Sequence, residues 1–344
     1  MPSVSVVVPV LNAARTLAGT LDALARLRPP PLEILLVDNG SVDGSRELLK
    51  AFVAGRAGGK ASLIVEPRRG ASAARNAGIR AARGEVVAFT DADCLPDAAW
   101  LEHLALPFAD PIVGAVAGRV MGAPADSTLE LFSALYTLRS PETPARHVRW
   151  TPWDGGFPTA NLAVRRGLLN AVGGFDERLP FYGEDYDLCA RLYARHIEIV
   201  YAPTARVAHK HRPTLPRMMR QAFGFGRAHP YLLKRHAQPG LWLDLPWHSA
   251  HWASCPGRAW LDLASADKKV MAILVAGMAY GPLLWLLPVY AAWLVSITNR
   301  HSRRMGQRLS LGVTSGLAGL LLLKSAAMTA GRWWGSLKYR SVCF

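Results

Sequence analysis

Short apolar runs rich in β-branched residues alternate with stretches of helical period over the first ninety residues of the chain. Residues 4–8 form one run that closes at Pro9, and residues 32–37 and 61–65 form two more. Between them Thr16, Leu17, Leu21 and Leu24 recur at helical spacing after Asn12, and residues 45–53 and 72–82 have the same character. A fourth run, residues 86–90, leads into Asp91 and Asp93. Strands alternating with helices predict βαβ units: an α/β fold with a mainly parallel, Rossmann-like sheet flanked by helices, and a ligand site outside the carboxyl ends of the strands. The unusual polar residues all fall at those ends.

The pattern then loosens. Residues 107–153 carry Pro, Gly and short apolar pieces, as suits a segment that contacts a second substrate. Residues 157–164 resume an apolar run, and Gly173-Gly174-Phe175 and the acidic Gly183-Glu184-Asp185-Tyr186-Asp187 follow. Residues 197–201 and 206–209 read as two late strands. Beyond them the period changes again. Residues 214–236 mix Arg217, Arg220, Arg227, Lys234 and Arg235 with Phe223, Phe225 and Leu232, which reads as an amphipathic segment lying on an anionic membrane surface or receiving a lipid diphosphate; the plainer reading is a solvated helix packed on the preceding domain. Trp242, Trp247, Trp252 and Trp260 then suggest an interfacial belt. Residues 270–298 are almost uncharged and exceed the ~20 that span a bilayer; residues 309–330 form a second such stretch if Lys324 snorkels. Three regions result: an α/β domain over 1–213, a basic, Trp-rich interfacial region over 214–265, and a hydrophobic membrane region over 266–344.

Charge sharpens this division. The net charge is +15, yet residues 1–209 balance 22 Lys or Arg against 22 acids, whereas residues 210–344 carry 18 against 3. Dense positive charge points to nucleic acid or to an anionic membrane. Eight of the eleven Trp and the longest apolar runs share the basic region, which selects the membrane and argues against nucleic acid. The four Cys, at 94, 189, 255 and 343, lack paired spacing and fit a reducing cytosol. No charged segment precedes the first apolar run, which reads as a strand and not a signal peptide.

Three groups carry candidate chemistry. Side chains at i and i+2 of an extended segment share a side, so Asp91 and Asp93 could reach one hard cation and, through it, a diphosphate; the plainer reading is a solvated turn. Asp38 ends a buried strand, where an acid can accept from a base N–H or a ribose hydroxyl, while Ser41 and Asp43 have the alternative of capping the next helix. Arg75, Asn76 and Gly78 lie in a small-residue helix that can approach the sheet or a ligand closely.

The ordered series Pro9 with Asn12, Asp38-Asn39-Gly40-Ser41, Ala74-Arg75-Asn76-Ala77-Gly78, Asp91-Ala92-Asp93, Gly173-Gly174-Phe175 and Gly183-Glu184-Asp185 resembles the family 2 glycosyltransferases of GT-A fold. The resemblance covers roughly residues 3–215. It implies a nucleotide-diphosphate sugar donor held by Pro9, Asn12, Asp38, Ser41, Arg75, Asn76 and Asp91. It also implies Mg²⁺ or Mn²⁺ bound by Asp93 and Asp91, with His209 or His211 nearby and His209 preferred. Glu184-Asp185 matches the position of the family's catalytic base, and an inverting transfer needs a carboxylate there to take the acceptor's proton. Asp185 is assigned that role, Asp187 is the fallback, and Glu184 and Asp187 have helix capping as their alternative.

The expectation is therefore a metal-dependent, inverting glycosyltransferase on the cytoplasmic face of the plasma membrane, acting on a lipid-linked or cell-envelope glycan acceptor. A nucleotidyltransferase and a non-catalytic membrane-bound sugar-nucleotide or glycan-binding protein are the alternatives. The arginines at 300, 303, 304 and 308 disfavour export of the loop between the apolar stretches, and Pro282 and Pro288 could instead break the first stretch into a re-entrant pair.

Overall fold

The computed structural model describes residues 1–55, 59–125, 127–136, 142–152, 156–179, 182–210, 214–254 and 257–344. They form two compact units, Met1–Pro124 with Leu138–His211, and Ala125–Thr137 with Arg212–Phe344.

The first unit is built on strands β1 (Val4–Val10), β2 (Glu33–Asp38), β3 (Ala61–Val65), β4 (Val86–Phe89), β5 (Cys94–Pro96), β6 (Ala115–Gly122), β7 (Ala145–His147), β8 (Leu162–Arg165) and β9 (Ile199–His209). Their order is β3-β2-β1-β4-β8-β6-β9-β5, with β7 on β9. Strands β1 to β4 pair in parallel, as do β6 and β9, but β8 runs antiparallel to both its neighbours. The sheet is thus mixed. Helices α1 (Ala14–Ala25), α2 (Ser45–Ala54), α3 (Ala71–Ala81), α4 (Trp100–Ala105), α6 (Arg166–Val172) and α7 (Glu184–Tyr193) cover its faces, while α5 (Thr128–Tyr136) belongs to the second unit.

Alternation along β1 shows why both faces are covered. Val4, Val6, Val8 and Val10 join Leu17, Leu21 and Leu24 of α1, Leu49 of α2 and Trp100 of α4 in one cluster. Val7 faces the other way, among Ala74 and Ala77 of α3, Leu169 of α6 and Leu188 of α7. A Cβ at Gly78 would lie 2.4 Å from Val7 Cγ1, so only glycine lets α3 sit this close to β1. Two boundaries differ from those read in the sequence. Strand β1 continues through Pro9, because its pairing with β4 stops at Val7 and the missing N–H faces a side with no partner strand. The two late strands are one, β9, whose pairing with β6 shifts register at Gly118/Arg119. Asn161 stabilises that irregularity: its side-chain amide donates to Arg119 O and Ala205 O, at 3.0 and 2.8 Å.

The second unit contains α5, α8 (Leu215–His236), a small sheet of β10 (Gly240–Asp244), β11 (Ser249–Trp252), β12 (Arg258–Asp262) and β13 (Val342–Cys343), and helices α9 (Ala266–Ala279), α10 (Leu286–Arg304) and α11 (Leu311–Tyr339). Helix α8 packs along α11 through small residues: a Cβ at Gly226, Gly331 or Gly335 would collide with the backbone of the facing helix. Much of its apolar surface is therefore taken up by protein. The four expected belt tryptophans divide accordingly, since Trp242 and Trp260 are cross-strand partners buried in the small sheet, while Trp247 and Trp252 are exposed.

The first apolar stretch is broken. Helix α9 ends before Tyr280, a 3₁₀ turn spans Gly281–Trp285, and α10 comes back far enough for Tyr290 Oη to donate to Ala266 O at 3.1 Å. The break falls at Pro282. Pro288 lies in the first turn of α10, where a missing N–H leaves no bond unmade, so it does not interrupt the helix. Gly281–Arg304 and α11 are each long and apolar enough to cross a membrane. Helix α11 nonetheless has a polar, buried stripe: Thr329 and Ser325 donate to Asp267, and Arg332 Nη1 lies 2.6 Å from Asp262 Oδ2.

Candidate active site

The site lies at the carboxyl ends of β1, β2 and β4, as parallel α/β topology requires. After β4 the backbone does not continue extended through the aspartates. Cys94 N donates to Asp91 O at 3.1 Å, closing a turn, and Ala92 O accepts the hydroxyls of Thr16 and Thr20 at 2.9 and 3.0 Å. The expectation that Asp91 and Asp93 share a side by strand alternation is thereby corrected. The turn sends each to a different partner: Asp91 Oδ1 lies 2.9 Å from Arg75 Nη2, and Asp93 Oδ1 lies 3.4 Å from His209 Nε2.

His209 reaches Asp93 because β9 pairs antiparallel with β5, setting His209 opposite Cys94. Donor atoms of Asp93, Cys94 and His209 all fall within 4.8 Å of one another. Cys94 is fully buried, and burial, reinforced by the Asp93 and Asp91 charges, pushes its thiol well up. A protonated thiol is no ligand for a hard cation. The usable donors are a carboxylate and an imidazole, a set that fits a divalent ion such as Mn²⁺. His211 lies outside the described residues.

Arg75 is the hub of the site. Its guanidinium is buried, lies 5.5 Å from the Phe175 ring centre, and bridges Asp91 and Glu184, with Nη1 2.9 Å from Glu184 Oε1. Burial opposes its charge, but the Asp91 and Glu184 carboxylates outweigh that and hold it firmly protonated. Helix α7 begins at Glu184, immediately after Gly183 in a left-handed conformation (φ 92°), so Glu184, Asp185 and Asp187 occupy its first turn. Glu184 Oε2 is buried and has no hydrogen-bond partner among the described residues. Asp187 is fully buried and pairs with Arg191 at 2.8 Å, which commits the fallback base to the helix. Asp185 accepts from the amide of Tyr186, and burial, followed by the Glu184 charge, pushes its carboxyl up to about 7 against the pull of Arg75.

Asp38 is fully buried with both oxygens engaged: Oδ1 accepts from Ser41 N at 3.0 Å and Oδ2 from Arg46 Nε at 2.6 Å. Burial works to raise its pKa, but the Ser41 and Arg46 contacts hold it below the usual range. Asp43 does cap, accepting from Ser45 N at 3.1 Å and from Ala14 N at 3.0 Å, and so serves the starts of both α2 and α1. The Asn12 and Ser41 loops are joined, since Asn12 N donates to Ser41 Oγ and Val42 N to Asn12 Oδ1. Pro9 is part-buried in β1 beside them. Asn76 faces a loop: its Oδ1 accepts from Phe175 N at 2.8 Å, and its Nδ2 donates to Phe175 O and Glu177 Oε1, both at 2.9 Å. A Cβ at Gly174 (φ 67°) would lie 2.5 Å from Asn76 Oδ1, which explains the Gly-Gly-Phe signature as a seat for this side chain. Arg46, the counter-charge of Asp38, is a site residue that the sequence pattern did not single out. Its position in the first turn after a strand-end acid was the available signal.

The helix-flanked mixed sheet is of GT-A type, and the comparisons specify the family. Residues 5–173 match the profile of glycosyl transferase family 2, and the chain belongs to that family. A pre-mycofactocin glycosyltransferase of Mycobacterium tuberculosis is 34% identical over 242 residues, covering 68% of this chain but 48% of that protein, so the chain spans about half that relative's length. Glycosyltransferase AglE of Haloferax volcanii is 29% identical over 231 residues, covering 66% of this chain and 73% of AglE. The fold resembles the mannosyltransferase PcManGT of Pyrobaculum calidifontis, solved in complex with GDP-Man and Mn²⁺, with a TM-score of 0.62 and 22% identity over 97% of this chain and 87% of that one. It also resembles GalNAc-T7 solved with UDP, GalNAc and Mn²⁺, with a TM-score of 0.51 and 18% identity over 69% of this chain and 49% of that one.

Proposed function

We propose that the chain transfers a glycosyl group from a nucleotide-diphosphate sugar to an acceptor hydroxyl of a lipid-linked or cell-envelope glycan, with inversion at the anomeric carbon. The observation that carries this is the Arg75 bridge, which brings the Asp91–Asp93 turn and the acidic start of α7 into one constellation. Asp185 takes the proton from the acceptor hydroxyl as its oxygen bonds to the anomeric carbon, and the bond from that carbon to the diphosphate oxygen breaks. A carboxyl pushed up to about 7 is matched to that task near neutral pH. Asp93 and His209 would hold the divalent ion, which when bound supplies Lewis-acid neutralisation of the departing diphosphate. The imidazole donor favours Mn²⁺ over Mg²⁺, which prefers oxygen ligands alone.

On this reading Arg75 holds the Asp91 and Glu184 side chains in place. Asn76 sets the 173–177 loop, and the Pro9, Asn12 and Ser41 loops border the nucleotide. Asp38 supports that border from beneath through Arg46. Tethering at the cytoplasmic face is supported by the excess of arginine in the second unit, which suits the anionic leaflet. A lipid-linked acceptor is the economical reason to tether such an enzyme. PcManGT and GalNAc-T7 were solved with nucleotide or nucleotide sugar and Mn²⁺, which favours a donor of that class here.

The test is a thermal-shift panel of the full chain with Mn²⁺ and UDP-, GDP-, dTDP- or CDP-sugars, followed by product analysis with membrane lipid extract as acceptor. One nucleotide class should stabilise the protein and a nucleoside diphosphate should be released. Stabilisation by none of them, or release of pyrophosphate, would refute the proposal.

A further inference from the structure

The carboxyl end of α10 and the turn to α11 hold four arginines, Arg300, Arg303, Arg304 and Arg308, and among the described residues none has a carboxylate partner. Acids are scarce in this part of the chain. From residue 210 onward the chain has three acids, each engaged elsewhere: Asp244 accepts from Ser249, Asp262 from Arg332, and Asp267 from Ser325 and Thr329. Cations at the carboxyl end of α10 are favourable for that helix. Dipole compensation, however, explains neither Arg308, which lies beyond the helix, nor the cavity of about 650 Å³ lined by Arg303, Gly306, Arg308 and Leu309.

The opposite end of the α9–α10 hairpin is apolar and uncovered. Val275, Met278, Tyr280, Trp285 and Val289 are all more than half exposed, with Met278 and Trp285 at 82% and 78%. Trp285 at the start of α10 and Arg303 near its end are about 27 Å apart along the helix, at 1.5 Å per residue. One helix therefore presents a hydrocarbon-seeking end and a phosphate-seeking end. Helix α5 meets the same basic end, where His301 Nε2 lies 3.0 Å from Leu135 O.

We propose that the α10–α11 turn is a binding site for the phosphate of an anionic lipid headgroup, with Arg303 and Arg308 as its paired donors and the hairpin tip sunk among the acyl chains. Guanidinium forks suit phosphate oxygens, so a site at this end of the hairpin grips the headgroup. None of its residues belongs to the donor site, so it stands whether or not the donor is a nucleotide sugar.

The test uses detergent-solubilised full chain titrated with phosphatidylglycerol, phosphatidylcholine or inorganic phosphate while thermal stability is followed. Phosphatidylglycerol should raise the midpoint, and the R303Q/R308Q double variant should need about 30-fold more of it, at about 1 kcal/mol per arginine. Equal titration of variant and wild type would overturn the site. So would an equal response to phosphatidylcholine, and stabilisation by inorganic phosphate alone would make it a bare-anion site instead. The Mn²⁺-dependent nucleotide shift of the same samples reports folding of the variant and reads the donor pocket separately.

Discussion

Arg75 Nη2 and Asp91 Oδ1 lie 2.9 Å apart, which makes the first aspartate of the D-x-D turn an ion-pair partner on the protein side of the site. The pair rests on a buried guanidinium that also serves Glu184, so its removal strands two carboxylates. Arg75→Ala is expected to destabilise the fold by about 3–5 kcal/mol, the range for breaking a buried ion pair from one side. Arg75→Lys should recover part of this, because one ammonium cannot reach both acids in fork geometry. Thermal unfolding of the full chain in detergent measures the difference.

The raised Asp185 carboxyl has two consequences of known sign. Activity should rise with pH along an acidic limb with its midpoint near 7, because the base must be ionised. Stability should move the opposite way. Between the ordinary carboxylate pKa and about 7 the folded protein binds more protons than the unfolded chain, so this group's contribution falls as pH rises through that window. Asp185→Asn should flatten the fall and leave the variant more stable than wild type at pH 8. The gain is about 1.4 kcal/mol for every tenfold by which folding tightens that carboxyl's hold on its proton. Unfolding at pH 5 and pH 8 checks both signs.

Asn76 holds the 173–177 loop by three hydrogen bonds, and Gly174 makes room for it. Asn76→Ala leaves the Phe175 amide and carbonyl without these partners and should cost about 1–3 kcal/mol. Gly174→Ala should be at least as harmful, since it adds a contact with Asn76 and strain at φ 67°. Proteolysis within the loop should accelerate in both.

Cys94 and His209 surround Asp93 but should differ as donors. His209→Ala should weaken Mn²⁺ binding measured by electron paramagnetic resonance, whereas Cys94→Ser should leave it close to wild type, because the buried thiol stays protonated. A large loss in Cys94→Ser would mean that the thiolate binds.

Much of this arrangement is readable from residue pattern. Runs such as residues 33–38 and 86–89 are buried on both faces, and that burial is what leaves a β-branched run in the sequence. The acids at their ends follow from parallel topology. Strand direction is not encoded this way, so the antiparallel sense of β8 had no local signal. The turn at Asp91–Cys94 depends on hydroxyls of Thr16 and Thr20, more than seventy residues away, and an i, i+2 argument cannot see them. The pairing of Trp242 with Trp260 was hidden for a related reason: in a basic, aromatic segment a buried cross-strand pair and an interfacial belt have the same composition.

Holding the donor and moving the proton are separable, and separating them is the most direct test of the site. Nucleotide-sugar binding with Mn²⁺ and transfer to acceptor lipid should be measured in parallel for Asp93→Ala and Asp185→Asn. Asp93→Ala should lose metal-dependent binding, whereas Asp185→Asn should bind as wild type does yet transfer at least about a hundredfold more slowly. Equal loss of binding in both variants, or full transfer by Asp185→Asn, would contradict these roles.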